Sequence, residues 1–343
     1  MIKKIECCRV CKNTNLVSVL DLGEQFLTGT FPEIKDLSLT KGPLRLVKCH
    51  GESDCCGLLQ LEHSYDADEM YGENYGYRSG LNSSMVSHLN AKVNRILDIV
   101  NLKSDDLVID IGSNDGTTLG FYPDDLTLVG VDPTAGKFKK YYKSYVNFHA
   151  DFFSSNLIES KYSKKAKVVT SFSMLYDLEN PVSFVKQISK ILDYDGIWVF
   201  EQSYLPLMLE KNSYDTVCHE HIEYYGLYQI QWILRKVGLK VLDVELNDIN
   251  GGSFSVTACL DSCNSYAPSQ SVNDCLKNEI KEGLDGLRPY EEFAKNTKKS
   301  RLNLRGFIDK NIEKGKKIYA LGASTKGNVI LQYCNTNDQD IKG

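Results

Sequence analysis

Leu107-Val108-Ile109-Asp110-Ile111-Gly112-Ser113-Asn114-Asp115-Gly116 runs a buried-type strand straight into a glycine turn. A short apolar run bounded by turn residues reads as a strand covered on both faces. Gly112 lets the backbone pass close to a ligand. The next strand, Leu126–Val131, ends in Asp132, twenty residues after Gly112. A carboxylate at that place suits ribose hydroxyls. The turn is not Gly-x-Gly-x-x-Gly, because Asn114 holds the second glycine position and Asp115 adds a negative charge. Pyrophosphate sites rely on amides and a helix dipole, so Asp115 is expected to repel a dinucleotide. A sulfonium carrying an amino acid tolerates that charge. The expected cofactor is therefore S-adenosylmethionine, held by Gly112, Ser113, Asn114, Asp115, Gly116 and Asp132. Asp151 and Phe152 are expected to bond and stack on its adenine.

Outward from this stretch the pattern repeats. Lys167–Thr170 and Gly196–Phe200 read as further strands, with Pro181–Leu192 a helix between them. Val86, Leu89, Val93, Ile96, Leu97 and Val100 form one face of a preceding helix, and Leu227–Val237 is another. Val241–Leu246 and Phe254–Leu260 flank Asn250-Gly251-Gly252, strong turn chemistry for an antiparallel pair. Strands alternating with helices give an α/β class, a mostly parallel Rossmann-like methyltransferase sheet. Residues 273–312 read as helical with a break near Gly283–Pro289. Lys317–Leu321 reads as a strand, and Gly322–Asn328 as a turn into a helix. The expected division is a zinc-binding domain at 1–78, a methyltransferase domain at 79–270, and a helical connection with an incomplete C-terminal α/β unit at 271–343.

Six of the eleven cysteines fall in the first 56 residues. A reducing cytoplasm disfavours disulfides, so such a cluster points to metal. Cys8 and Cys11 are spaced Cys-x2-Cys, and Cys49 and Cys56 follow some forty residues on, with Cys55 a rival for the last place. Two such pairs can present four thiolates tetrahedrally, the arrangement structural zinc prefers. The segment up to about residue 78 otherwise reads as turn-rich.

Tyr214–Tyr225 gathers two of the six histidines, three acids and three tyrosines. Polar groups bunched before a helix are typical of sites. His219-Glu220-His221 lacks the metalloprotease spacing, so acid–base work is the better expectation than a catalytic metal. Tyr71, Tyr75 and Tyr77 with Arg78 and Ser79 form a second polar-aromatic cluster.

The chain length of 343 residues allows two or three domains. The formal charge of −5, with no long basic run, gives no footprint for nucleic acid. No segment reaches the ~18 apolar residues of a membrane span, and the N-terminus has no apolar signal, so a cytoplasmic protein is expected.

Taken in order, these motifs resemble the three-domain sugar C-methyltransferases, which methylate nucleotide-linked keto-deoxysugars. The match runs through Cys8–Cys11, Cys56–Leu61, Tyr75–Ser79, Ile111–Gly116, Gly130–Pro133, Glu201–Leu205, His219–His221, Asn250–Phe254 and Gly322–Asn328. The resemblance implies that His221 is the base, with Glu220 beside it and Tyr75 or Tyr77 near the sugar. It also implies zinc and S-adenosylmethionine as cofactors and a nucleotide-sugar as partner; oligomeric state stays open. Cys218, Asp177 and Asn250 depart from residues common in the family. They imply another sugar, or methylation at oxygen. The alternatives are an O- or N-methyltransferase of another small molecule and a non-catalytic zinc-dependent binding protein.

Overall fold

The computed structural model describes residues 2–30, 39–51, 54–66, 77–322 and 324–342. The chain forms two compact units. One draws on residues 1–75, 204–229 and 277–343; the other on 76–203 and 230–276.

In the first unit, Leu16–Phe26 (β1) and Lys41–Cys49 (β2) pair antiparallel, and Leu59–Leu61 (β3) pairs antiparallel with β2. Strands of this length were not evident in the sequence. Two register shifts, between Ser18 and Leu20 and between Asp21 and Glu24, break the alternation of β1. β2 is buried nearly along its length, so it lacks a polar face that would show a period of two. Leu44 and Leu46 of β2, Leu59 and Leu61 of β3, and Leu20 and Leu22 of β1 share one core. Each such side chain contributes about 1.5–3 kcal/mol on burial.

The second unit carries a sheet of seven strands among the described residues. The first five are Leu107–Ile111 (β4), Thr127–Val131 (β5), Val146–His149 (β6), Ala166–Phe172 (β7) and Leu192–Ser203 (β8). The chain then returns to the first unit, where Glu223–Tyr224 (β9) pairs with β3. Leu239–Asn247 (β10) and Ser253–Leu260 (β11) complete the second sheet. Its order is β10-β11-β8-β7-β4-β5-β6. β8, β7, β4, β5 and β6 are parallel, and β11 inserts antiparallel between β8 and β10. The strand order reverses at β4, so the crevice at its carboxyl end is the topological switch point. The turn Gly112–Gly116 leaves β4 there.

Helix Ser83–Ile99 turns Val93 and Ile96 into the core beneath this sheet, and Asn82 caps its start by accepting from Ser84 N at 3.0 Å. Helix Pro181–Ile191 begins with Asn180 as cap and Pro181 at its first position, as the residue types require.

The expected helical break is present between Gln270–Lys281 and Arg288–Glu313. The strand expected at Lys317–Leu321 does not form. Among the described residues it has no neighbouring strand to complete a ladder, and Tyr319 and Leu321 stay exposed. The following helix, Thr325–Tyr333, is capped by Ser324, whose hydroxyl accepts from Gly327 N. Its Val329 and Tyr333 enter the first unit's own core beside Leu20 and Tyr214, so this helix has a buried face without a sheet of its own. No described helix is long and apolar enough to cross a membrane.

Candidate functional site

The metal centre lies in the first unit. Cys8 and Cys11 sit on a tight turn, where Lys12 N donates to Cys8 O. Cys49 ends β2 and Cys56 precedes β3. The four sulfurs lie within 4.8 Å of one another, with Cys8–Cys56 at 3.5 Å and Cys11–Cys49 at 3.4 Å. Zinc–sulfur bonds of about 2.3 Å in a tetrahedron put sulfurs about 3.8 Å apart, so the set fits zinc. Hydrogen bonding to Cys11 pushes the Cys49 and Cys56 thiols up, so four ionised sulfurs at this spacing need a cation. Cys55 is outside the four, 3.3 Å from Cys49, and Asn13 donates towards both.

The glycine turn lies in the second unit and is held by its own backbone. Gly112 and Gly116 have φ of +74° and +75°, a region closed to most side chains. Asp132, at the end of β5, accepts from Asn114 N at 2.9 Å through Oδ2 and from Thr134 N and Oγ1 at 2.6 Å through Oδ1. One acceptor position of Oδ2 is left over from these contacts, enough for one ribose hydroxyl. Ser113 Oγ meets the Tyr142 hydroxyl at 2.7 Å, and that hydroxyl also donates to Asn114 O. Tyr142 had no signal in the sequence; it stands in a Lys-Tyr-Tyr-Lys run that reads as surface.

Asp115 is not where its charge was expected to act. It is 1% exposed, and its carboxylate accepts from Arg78 and Gly80 N on one oxygen and from Thr117 N and Oγ1 on the other. Both oxygens are thus turned onto donors inside the protein. Arg78, in turn, lies 3.9 Å from the Tyr141 ring. Ser79 N donates to Asn114 Oδ1, and Asn114 Nδ2 donates to Tyr77 O. The segment Tyr77–Gly80 thus latches the turn, while the Tyr77 ring is half exposed. Tyr75 lies outside the described residues. Asp151 and Phe152, just past β6, are exposed, with the Phe152 ring open for stacking; Phe153 packs on Phe184.

Beneath the turn, Asp110 is buried and accepts from Thr170 Oγ1 at 2.6 Å. Burial pushes its carboxyl up to about 7.

The His-Glu-His loop belongs to the first unit. Its two histidines differ in kind. His219 is fully buried; Thr28 N and Oγ1 donate to its Nδ1, its Nε2 donates to Gly42 O, and Tyr65 packs edge-on at 4.5 Å. Both nitrogens are used, so it is a structural residue. His221 donates through Nδ1 to Thr216 O at 3.2 Å, which makes Nε2 its basic nitrogen. Burial pushes both imidazoles down to about 4, so both are neutral at pH 7. The Lys326 charge adds to the effect at His221. Burial drives Glu220 the other way, up to about 7. Its carboxylate lies against Gly29, where an added Cβ would fall 1.7 Å from Oε1. Cys218, Glu220 and His221 bring their reactive atoms within 4.8 Å of one another.

A parallel sheet with this strand order, a glycine turn at its switch point and an acid ending the next strand define an S-adenosylmethionine-dependent methyltransferase. A methyltransferase domain model matches residues 82–244, a zinc binding domain model matches 8–71, and a C-methyltransferase C-terminal domain model matches 248–342. The chain is also similar to the C-methyltransferase NovU of Streptomyces niveus, with 27% identity over 347 aligned positions, covering all of this chain and 81% of the relative. The three models in this order and the relative, aligned along the whole chain, agree with the C-methyltransferase family that the motifs resemble, and the cofactors are S-adenosylmethionine and zinc. Among solved structures, it is similar to the magnesium protoporphyrin IX methyltransferase of Synechocystis PCC 6803 (15% identity, TM-score 0.40, 55% of this chain and 90% of that one). It is also similar to the mitomycin 7-O-methyltransferase MmcR (13%, TM-score 0.41, 52% and 54%).

Proposed function

We propose that this C-methyltransferase acts on a nucleotide-linked keto-deoxysugar, by removing the proton next to the ketone and methylating the resulting enolate carbon. The observation that carries this reading is the His221 ring. Its Nδ1 proton is committed to Thr216 O, so Nε2 holds a lone pair at neutral pH. A neutral imidazole can take a carbon-bound proton that a ketone has acidified. When bound, S-adenosylmethionine supplies an electrophilic methyl group for the carbon nucleophile so formed. Gly112–Gly116 and Asp132 hold the adenosyl group, with Asp151 and Phe152 at the adenine. Glu220, whose carboxyl burial pushes up to about 7, provides a proton donor beside the base. Zinc serves to fold the first unit and takes no part in proton transfer. We place the protein in a reducing compartment, the cytoplasm, where its thiols persist as metal ligands.

A panel of nucleotide-linked 4-keto-6-deoxyhexoses in deuterated water tests the reading. The expected result is exchange of the α-proton by the intact protein and its loss, by at least a hundredfold, in His221→Gln. Product methylated at a hydroxyl, with no exchange, would favour an O-methyltransferase and overturn the reading.

A further inference from the structure

A second oriented imidazole lies in the methyltransferase unit, outside every motif assigned so far. Glu201, near the carboxyl end of β8, is buried, and its side chain turns towards helix Ser83–Ile99. His88 Nε2 lies 2.6 Å from Glu201 Oε1. Lys92 Nζ, at 3.1 Å, and Asn247 Nδ2, at 2.8 Å, hold Oε2. Lys92 is itself tied to Glu245 at 2.8 Å. The Glu201 carbonyl accepts from Ser173 N at 2.7 Å, which pins the exit of β7 against β8. The carboxylate is therefore fixed from two elements, the helix and β10.

This geometry sets the His88 tautomer. A carboxylate facing Nε2 keeps the proton there, and Nδ1 carries the lone pair. Among the described residues no group bonds Nδ1, and the ring is 14% exposed. A helix-borne imidazole anchored by a buried, saturated carboxylate is a pre-oriented acceptor. Packing of the helix does not require it, since an apolar side chain would fill the same space without burying a carboxylate.

The position indicates what it accepts from. With the ribose at Asp132 after β5 and the adenine at Asp151 after β6, the donor runs across the sheet away from β4. Gly112 would then hold the methionyl end, so the methyl acceptor would be bound on the side of β7 and β8. Met174, just past β7, already lies 3.4 Å from the Cβ position of Gly112. Neighbouring strands are about 4.8 Å apart, so the edge of β8 is about 10 Å from β4, the depth of one sugar ring. We infer that His88, oriented by Glu201, binds the methyl acceptor by taking a hydrogen bond from one of its hydroxyl groups through Nδ1. This rests on the proposed sugar substrate and donor pose.

The test compares His88→Gln and His88→Asn with the intact protein on the sugar panel. The Gln amide can still donate to Glu201 but places nothing at Nδ1. The Asn amide reaches the Nδ1 position and loses the carboxylate. His88→Gln is expected to raise KM for the sugar on the order of tenfold, the scale of one buried hydrogen bond left unmade. Its kcat, melting temperature and calorimetric S-adenosylmethionine affinity should stay close to the parent's. His88→Asn should recover part of the loss in KM. An unchanged sugar KM in active His88→Gln overturns the inference, as does a common fall in melting temperature and methyl-donor affinity in both variants, which marks a structural tie. Failure of the intact protein to turn over any member of the panel would instead sink the substrate reading, and this inference with it.

Discussion

Asp115 and Glu220 are both acids on loops that the sequence marks as sites, and their surroundings treat them in opposite ways. Asp115 accepts from Arg78, Gly80 and Thr117, and it latches the glycine turn of the methyltransferase unit. Glu220, in the other unit, is pushed up to about 7, with burial the cause. A carboxylate supplied with donors builds structure; one stripped of water without them holds its proton closer to neutral pH. The histidines repeat the lesson within three residues. His219 has both nitrogens committed, whereas the Nδ1 bond of His221 selects Nε2 as its base. The same residue type thus takes a different tautomer according to the partner at Nδ1.

The largest effect should come from the metal. Cys8→Ser, or a strong chelator, is expected to unfold the first unit while helix Ser83–Ile99 and the seven-stranded sheet persist. Apparent zinc binding is worth about 10–16 kcal/mol in small peptides, more than most domains hold in reserve. Zinc analysis and circular dichroism before and after chelation check this; retained structure with no metal would refute it.

Next, Asp132→Ala should weaken S-adenosylmethionine at least tenfold in calorimetry. It removes the proposed ribose acceptor and leaves Asn114 N and Thr134 without their partner. An unchanged affinity would detach the donor from this pocket.

Asp115→Asn sharpens the contrast. It should cost about 2–3 kcal/mol in urea unfolding, because Arg78 loses its counter-charge inside the fold. Donor affinity should fall only as far as the loosened turn requires. A large loss of affinity with unchanged stability would return Asp115 to the ligand.

The smallest effect concerns pH. The folded carboxyl of Glu220 titrates near 7, above its ordinary 4.5, so its contribution is fully present below pH 4.5 and lost as pH rises through 7. Glu220→Gln should therefore melt higher than the parent at pH 8 and show no such gain at pH 5. The depressed histidines work in the other direction. Their contribution is present above pH 6.5 and lost as pH falls towards 4. A Glu220→Gln variant with the same shift at both pH values would show that burial does not control this acid.

Much of this was legible before any coordinates. Four of the five parallel strands, the helices Ser83–Ile99 and Pro181–Ile191, the glycine turn and Asp132 declare themselves because strand burial and turn chemistry are local, whereas the short edge strand β6 did not. Cys8, Cys11, Cys49 and Cys56 declare themselves because metal ligands come in spaced pairs. The strands β1 and β2 were hidden, since bulges and two-sided burial erase alternation. Tyr142 and His88 were hidden because neither sits in a recognisable spacing.

Local sequence thus determined most elements of the methyltransferase sheet, where the metal-type cysteines cluster, and which loops carry polar groups. Only the tertiary structure decided whether each polar group meets a partner. It set Asp115 among donors, stripped water from Glu220, paired His88 with a carboxylate 113 positions away, and gave the helix Thr325–Tyr333 a core to enter. The physical reason is that propensity and spacing act over a few residues, whereas desolvation and hydrogen-bond satisfaction depend on atoms that only folding brings together.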